Sequence, residues 1–177
     1  HMKKIVLTLI LSASCLANIS YGQTSSNSLQ EQTNQQLLKQ ANDDYQHQDY
    51  SQALQAYLLL APENYAQAQT MLGIMYLNGQ GTDKDLPSAI KWLSSAAKAG
   101  NAQAQYQLSK LYSAGTGVIR DDNHAFTLMQ QSAKQNYDKA QHALGMMYYN
   151  SLGTDKDSAQ VYSLLLPFAQ AEKNPDV

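Results

Sequence analysis

The sequence predicts an all-α protein, an α/α superhelix of about four antiparallel helical hairpins. Three observations predict it. A 36-residue period runs without a gap through three copies. Within each copy, apolar and small residues recur at three- and four-residue spacing, the mark of a buried helical face. Glycine-bearing turns, each followed by an aspartate, divide the copies into helix pairs.

The period is carried by particular residues. Ala66-Gln67-Ala68-Gln69 returns as Ala102-Gln103-Ala104-Gln105. Leu72, Leu108 and Leu144 align, as do Tyr76, Tyr112 and Tyr148. Gly81, Gly117 and Gly153 follow, then Asp85, Asp121 and Asp157, and Ala97, Ala133 and Ala169. Repeats of this length cannot bury their apolar face alone, and they stack to make a shared core.

In each copy the first helix carries Ala68, Leu72 and Tyr76 or their equivalents. A small residue sits beside the leucine: Gly73, Ser109 and Gly145. Glycine costs a helix interior ~1 kcal/mol relative to alanine, so its recurrence there predicts close approach between helices. Asn78-Gly79-Gln80-Gly81 ends the first such helix. Asp85, Asp121 or Asp122, and Asp157 are placed to accept from the free N–H groups opening the next one. Ala89, Trp92, Leu93, Ala96 and Ala97 line that second helix, and Ala125, Leu128, Met129 and Ala133 line the next. Pro167 falls inside the last and is expected to bend or shorten it.

The pattern resembles the Sel1-like repeat family: A-x-A-x-x-x-L-G-x-x-Y-x-x-G-x-G, then D, then A-x-x-W-x-x-x-A-A-x-x-G. Residues 66–100 match nearly every signature position. Residues 102–136 place Ser109, Leu128 and Ser132 where the family has Gly, Trp and Ala. Residues 138–172 depart further, with Ser151 for the first loop glycine and Val161 for an alanine. Upstream, Ala41, Tyr45, Asp49, Tyr50, Ala53, Leu54 and Tyr57 resemble a tetratricopeptide-type hairpin, read as a cap over residues 29–61. Asp49 would cap its second helix, and Gln48 stands where a loop glycine is usual. The resemblance implies a right-handed superhelix.

Ahead of the repeats, His1 reads as a cloning scar before Met2, and residues 2–22 as a signal peptide. Lys3 and Lys4 form a basic n-region, and Ile5–Leu11 are apolar apart from Thr8. Ser20-Tyr21-Gly22 puts small residues at a plausible cut before Gln23. Ser12, Ser14, Asn18 and Ser20 interrupt the run, which disfavours a membrane span of ~20 apolar residues. Ser12-Ala13-Ser14-Cys15 is a partial lipobox, so a lipid anchor on Cys15 is the lesser alternative. Residues 23–28 read as a flexible leader and 173–177 as a tail. The expected location is periplasmic or secreted.

Composition excludes several classes. The chain is 44% hydrophobic and 15% charged, with net charge −2. That leaves no basic field for nucleic acid. Of the 12 basic residues, Lys3 and Lys4 would leave with a signal peptide, moving the charge to about −4. The single cysteine rules out an internal disulfide. No H-E-x-x-H, G-x-S-x-G, phosphate loop or dinucleotide fingerprint is present. Gly79/Gly81 and Gly115/Gly117 lie between helices, where they read as turns. His47, His124 and His142 form no i, i+3 or i+4 ligand pair. Asp43-Asp44 and Asp121-Asp122 are adjacent and point apart on a helix. No metal, cofactor or catalytic residue is expected.

What remains is binding. Solenoids present an extended face lined by the first helix of each unit. With Leu72, Gly73 and Tyr76 buried, the groove side should hold Gln67, Thr70, Ile74 and Leu77. One period later it holds Gln103, Tyr106, Lys110 and Ser113, then Lys139, His142, Met146 and Tyr149. Thr70, Ile74, Leu77, Tyr106, Lys110, Lys139, His142, Met146 and Tyr149 form the predicted partner-binding groove, apolar and tyrosine-bearing, with positive charge toward one end. The expected function is a non-enzymatic protein–protein interaction module of the bacterial envelope, taking a protein or peptide. One alternative, implied by the resemblance, is a periplasmic immunity protein against a toxin effector, since small exported Sel1-like proteins are similar to some such inhibitors. A peptidoglycan- or β-lactam-interacting cell-wall protein is the second. It is weakened by the absence of the disulfide-forming cysteines of the family's cysteine-rich β-lactam-binding members.

Overall fold

The computed structural model describes residues 26–173, and every described element is helical. Helix α1 covers 26–46 and α2 Tyr50–Leu60, followed by a short 3-10 turn, Ala61–Glu63. Three further pairs follow: α3 (Ala66–Asn78) with α4 (Leu86–Lys98), α5 (Ala102–Ala114) with α6 (Asp122–Ala133), and α7 (Asp138–Asn150) with α8 (Ser158–Lys173). Each pair packs internally, and α2 on α3, α4 on α5 and α6 on α7 join the pairs. No described helix is long and apolar enough to cross a membrane. The proposed signal segment and Cys15 lie outside the described residues.

The core explains why the hairpins stack. Leu38 and Ala41 of α1 pack with Ala53, Tyr57 and Leu60 of α2 and with Ala68, Leu72 and Met75 of α3; Trp92 of α4 lies against this cluster. A second cluster joins Leu93 and Ala96 to Ala104, Leu108 and Leu111, and to Leu128 of α6. A third joins Ala125, Met129 and Ala133 to Ala140, Leu144 and Met147. Each cluster straddles a boundary between hairpins, so each hairpin supplies its neighbour with apolar surface. Tyr57 is fully buried, and its hydroxyl donates to Asn42 Oδ1 at 2.7 Å.

The aspartates cap as the spacing predicts. Asp85 accepts from Ser88 N at 3.2 Å, Asp121 from His124 N at 2.9 Å and Asp157 from Ala159 N at 3.0 Å. Asp121, not Asp122, is the cap, and Asp122 instead pairs with Arg120. Asn101 is an additional cap, accepting from Ala104 N at 2.9 Å. The Ser88 hydroxyl and amide hold the Asp85 carboxyl below its usual range.

The small residue beside each leucine meets the partner helix. A Cβ on Gly73 would sit 2.6 Å from Leu93 Cγ, and one on Gly145 would sit 2.7 Å from Leu165 Cδ2. Ser109 occupies the same place in the middle repeat, fully buried, and its hydroxyl donates to Ala125 O at 2.6 Å. The second loop glycine of each repeat abuts the preceding second helix. A Cβ on Gly81 would lie 2.6 Å from Tyr50 O, one on Gly117 2.8 Å from Ile90 Cδ1, and one on Gly153 against the Asp122 carbonyl.

Three expectations are corrected. Residues 26–28, read as leader, are already helical. Asp49 stands at the α2 cap position but its side chain makes no capping bond; only its carbonyl takes part, accepting from Gln52 N and Ala53 N at 3.1 Å. Helix α8 is not shortened, because it continues through Pro167 to Lys173. Pro167 removes the N–H that would reach the Ser163 carbonyl, and Ser163 is exposed, so water can take that acceptor. Gln48 and Ser151, which stand where the family usually has glycine, nonetheless take the left-handed conformation at φ 67° and 55°.

Candidate functional site

The first helices α3, α5 and α7 carry equivalent positions, and their exposure changes along the array. Thr70 is 0% exposed, Tyr106 is half-buried and His142 is exposed. Ile74 is 7% exposed, Lys110 is exposed and Met146 is 38% exposed. Leu77 and Ser113 are half-buried, while Tyr149 is 54% exposed.

Thr70 and Ile74 are therefore removed from the predicted groove. Helix α5 lies against α3, and the Thr70 hydroxyl is spent on Ala66 O at 2.7 Å. Leu77 is also largely withdrawn, packed on the second core cluster. The other six residues, Tyr106, Lys110, Lys139, His142, Met146 and Tyr149, fall on the C-terminal two repeats.

There the structure forms a cleft of about 290 Å³, lined by Tyr106, Asp138, Lys139, His142 and Phe168. Tyr106 stands edge-on to Tyr137 with ring centroids 5.5 Å apart, and Lys110 Nζ lies 5.4 Å from the Tyr106 ring. Burial, then the Tyr106 phenol, pushes the Tyr137 hydroxyl above its usual range. His142 meets the Phe168 ring edge-on at 5.2 Å. Beyond the cleft, Lys156 Nζ lies 4.8 Å from the Tyr149 ring. The surface thus offers aromatic faces, a thioether and several ammonium groups.

Sequence reasoning missed Phe168, Asp138 and Lys156. Phe168 holds the place of Ala96 and Ser132 in the earlier repeats, so a bulky residue at a small-residue position was the available signal. Lys156 comes from the loop before α8, which helical periodicity does not describe.

Among the described residues, no group of three or more His, Cys, Asp or Glu converges on a metal position. Ser95-Ala96-Ala97-Lys98 spells the S-x-x-K of serine-acylating cell-wall enzymes. Ser95 and Lys98 both lie exposed in the last turn of α4, whereas an acylating serine needs an adjacent base and an oxyanion pocket around it.

Comparison with known proteins agrees with this geometry. The family model described as Sel1 repeat matches residues 66–101, 102–137 and 138–160. A protective antigen present in uropathogenic Escherichia coli strains, displaying an SLR fold, superposes with a TM-score of 0.70 at 27% identity over 77% of this chain. The chain spans only 30% of that antigen's length. A Sel1 repeat protein from Oxalobacter formigenes is 32% identical over 68% of this chain and 90% of its own, with a TM-score of 0.59. No curated protein sequence matches the chain. Repeat solenoids of this kind typically serve protein–protein interaction; with three matched copies and a fold shared with solved Sel1 proteins, the chain belongs to the Sel1 repeat family.

Proposed function

We propose that the protein is a non-enzymatic interaction module of the bacterial envelope, taking a partner polypeptide along the first-helix face of its C-terminal repeats. One observation carries this reading: equivalent positions pass from buried at Thr70 and Ile74 to exposed at His142 and Met146. Exposed methionine and tyrosine beside a small aromatic cleft suit protein recognition. The cleft takes an apolar side chain, and Lys110 and Lys139 take carboxylates of the same segment. Export is supported by Lys3-Lys4, the apolar run Ile5–Leu11 and the small residues of Ser20-Tyr21-Gly22.

The test compares the full chain with a Met146→Ala/Tyr149→Ala/Lys139→Ala variant in affinity purification from the native envelope. A partner retained by the parent should be lost by the variant while helical circular dichroism stays unchanged. Retention of every partner by the folded variant refutes the placement. Fractionation with an antibody to the repeats tests export, and a wholly cytoplasmic signal refutes it.

A further inference from the structure

The opposite flank of α5 carries a second feature. A hollow of about 500 Å³ opens between α4 and α6, within the ~300–1,000 Å³ range of ligand pockets. Ala97, Leu108 and Leu128 form its apolar part, with Gln105 at the base. Tyr112 and His124 form one wall, their rings edge-to-face with centroids 4.5 Å apart. Gln105, Leu108 and Tyr112 lie roughly 100–160° around α5 from Tyr106, so this hollow is separate from the cleft at His142.

The period shows what this hollow lacks. Stepping back one repeat, Ala97, Gln105, Leu108 and Leu128 become Ala61, Gln69, Leu72 and Trp92. The frameworks correspond in detail: Gln105 Nε2 donates to Ala97 O at 3.3 Å, and Gln69 Nε2 donates to Ala61 O at 2.9 Å. In the earlier repeat the indole of Trp92 lies on the cluster containing Ala61 and Leu72. In the later one the same place holds Leu128, and Ser94 replaces Leu58 on the facing helix. The buried-side change is Trp92 to Leu128 around an unchanged floor; the partly exposed Leu58 has also become Ser94, and His124 stands where the earlier repeat has Ser88.

We infer that this hollow is an aromatic-anchor site, receiving a tryptophan side chain from a partner polypeptide in the place that Trp92 fills within the chain. The apolar floor takes the ring face, and Tyr112 and His124 offer edge-to-face contact. Lys98, at the rim, offers its ammonium to the ring.

The probe is N-acetyl-tryptophanamide titrated into the full chain and followed by amide NMR, with N-acetyl-leucinamide as comparison. Saturable shifts should concentrate in 94–112 and 124–131, with the leucine probe at least about fivefold weaker. Leu128→Trp and Ser94→Leu each rebuild one wall as the earlier repeat has it, and each should weaken binding by at least about fivefold. Ser94→Leu is at a half-buried position and serves if the tryptophan variant does not fold. The Met146→Ala/Tyr149→Ala change should leave these shifts intact, which separates this site from the proposed groove. Absence of saturable shifts, equal binding of the leucine probe, or undiminished binding in a folded wall variant overturns the assignment.

Discussion

Substituting Gly73 by alanine tests the packing that holds each hairpin closed. The added Cβ would lie 2.6 Å from Leu93 Cγ, 3.0 Å from Leu93 Cδ2 and 3.2 Å from Ala89 O. Comfortable carbon contacts are ~3.5–4.0 Å, and the nearest atom is a branch point rather than a flexible chain end. Overpacking of this kind costs ~1–3 kcal/mol, and the better helix propensity of alanine returns ~1 kcal/mol. The net expectation is a loss of about 1 kcal/mol, with ~2 kcal/mol as the ceiling. At roughly 2–4 °C per kcal/mol for a domain of this size, thermal unfolding by circular dichroism resolves it. The other repeats supply the compensating change. Ser109, which carries a Cβ, stands opposite the repeat position of Met129, whereas Gly73 and Gly145 pair with Leu93 and Leu165. Methionine is unbranched at Cγ and yields where leucine cannot. A double-mutant cycle of Gly73→Ala with Leu93→Met should therefore show favourable coupling of about 1 kcal/mol. A Gly73→Ala protein as stable as the parent, or a cycle without coupling, refutes the steric reasoning.

Further outcomes follow from the turns and the buried phenol. Ser151→Gly should raise stability by up to about 1 kcal/mol, because φ 55° at a non-glycine residue is disfavoured; a lower unfolding midpoint contradicts this. Burial, then the charges of Tyr45 and Asp44, push the Tyr57 hydroxyl above its ordinary value of 10.0. A raised folded-state value means its contribution is complete below pH about 10 and is lost as the pH rises toward the folded-state value. Tyr57→Phe should therefore lessen the fall in stability above pH ~10, and an unchanged alkaline slope in urea titrations removes Tyr57 as its source.

The fold was legible because the same physical demand recurs every 36 residues. Leucine and alanine bury one face, glycine admits the partner helix, and aspartate closes the next helix start. Three copies turn weak local preferences into one signal. The binding face was legible only in part. Period alone assigns Thr70, Tyr106 and His142 to one side, yet it carries no information on how closely the next repeat lies over each. That depends on what packs over each helix: α5 lies against α3 and covers Thr70, while among the described residues no further hairpin follows α7 and α8, and His142 is open. At Pro167 the shortening failed for a related reason: a proline is costly where the freed carbonyl is buried, and Ser163 is exposed. The hollow at Leu128 was written in the sequence as a tryptophan replaced by leucine, but only in space do Ser94, Tyr112 and His124 come together around it.

The contact of Gly81 with the Tyr50 carbonyl has a geometric consequence at a distance. It is a joint, and the repeats beyond it are the arm. With neighbouring helices ~10 Å apart, a tilt of about 10° at this joint, carried across three repeats, displaces the far end by roughly 5 Å. A methyl group at Gly81 would thus re-aim Tyr149 and His142 without touching either, so the bearing of the distal surface is set near the other end of the chain.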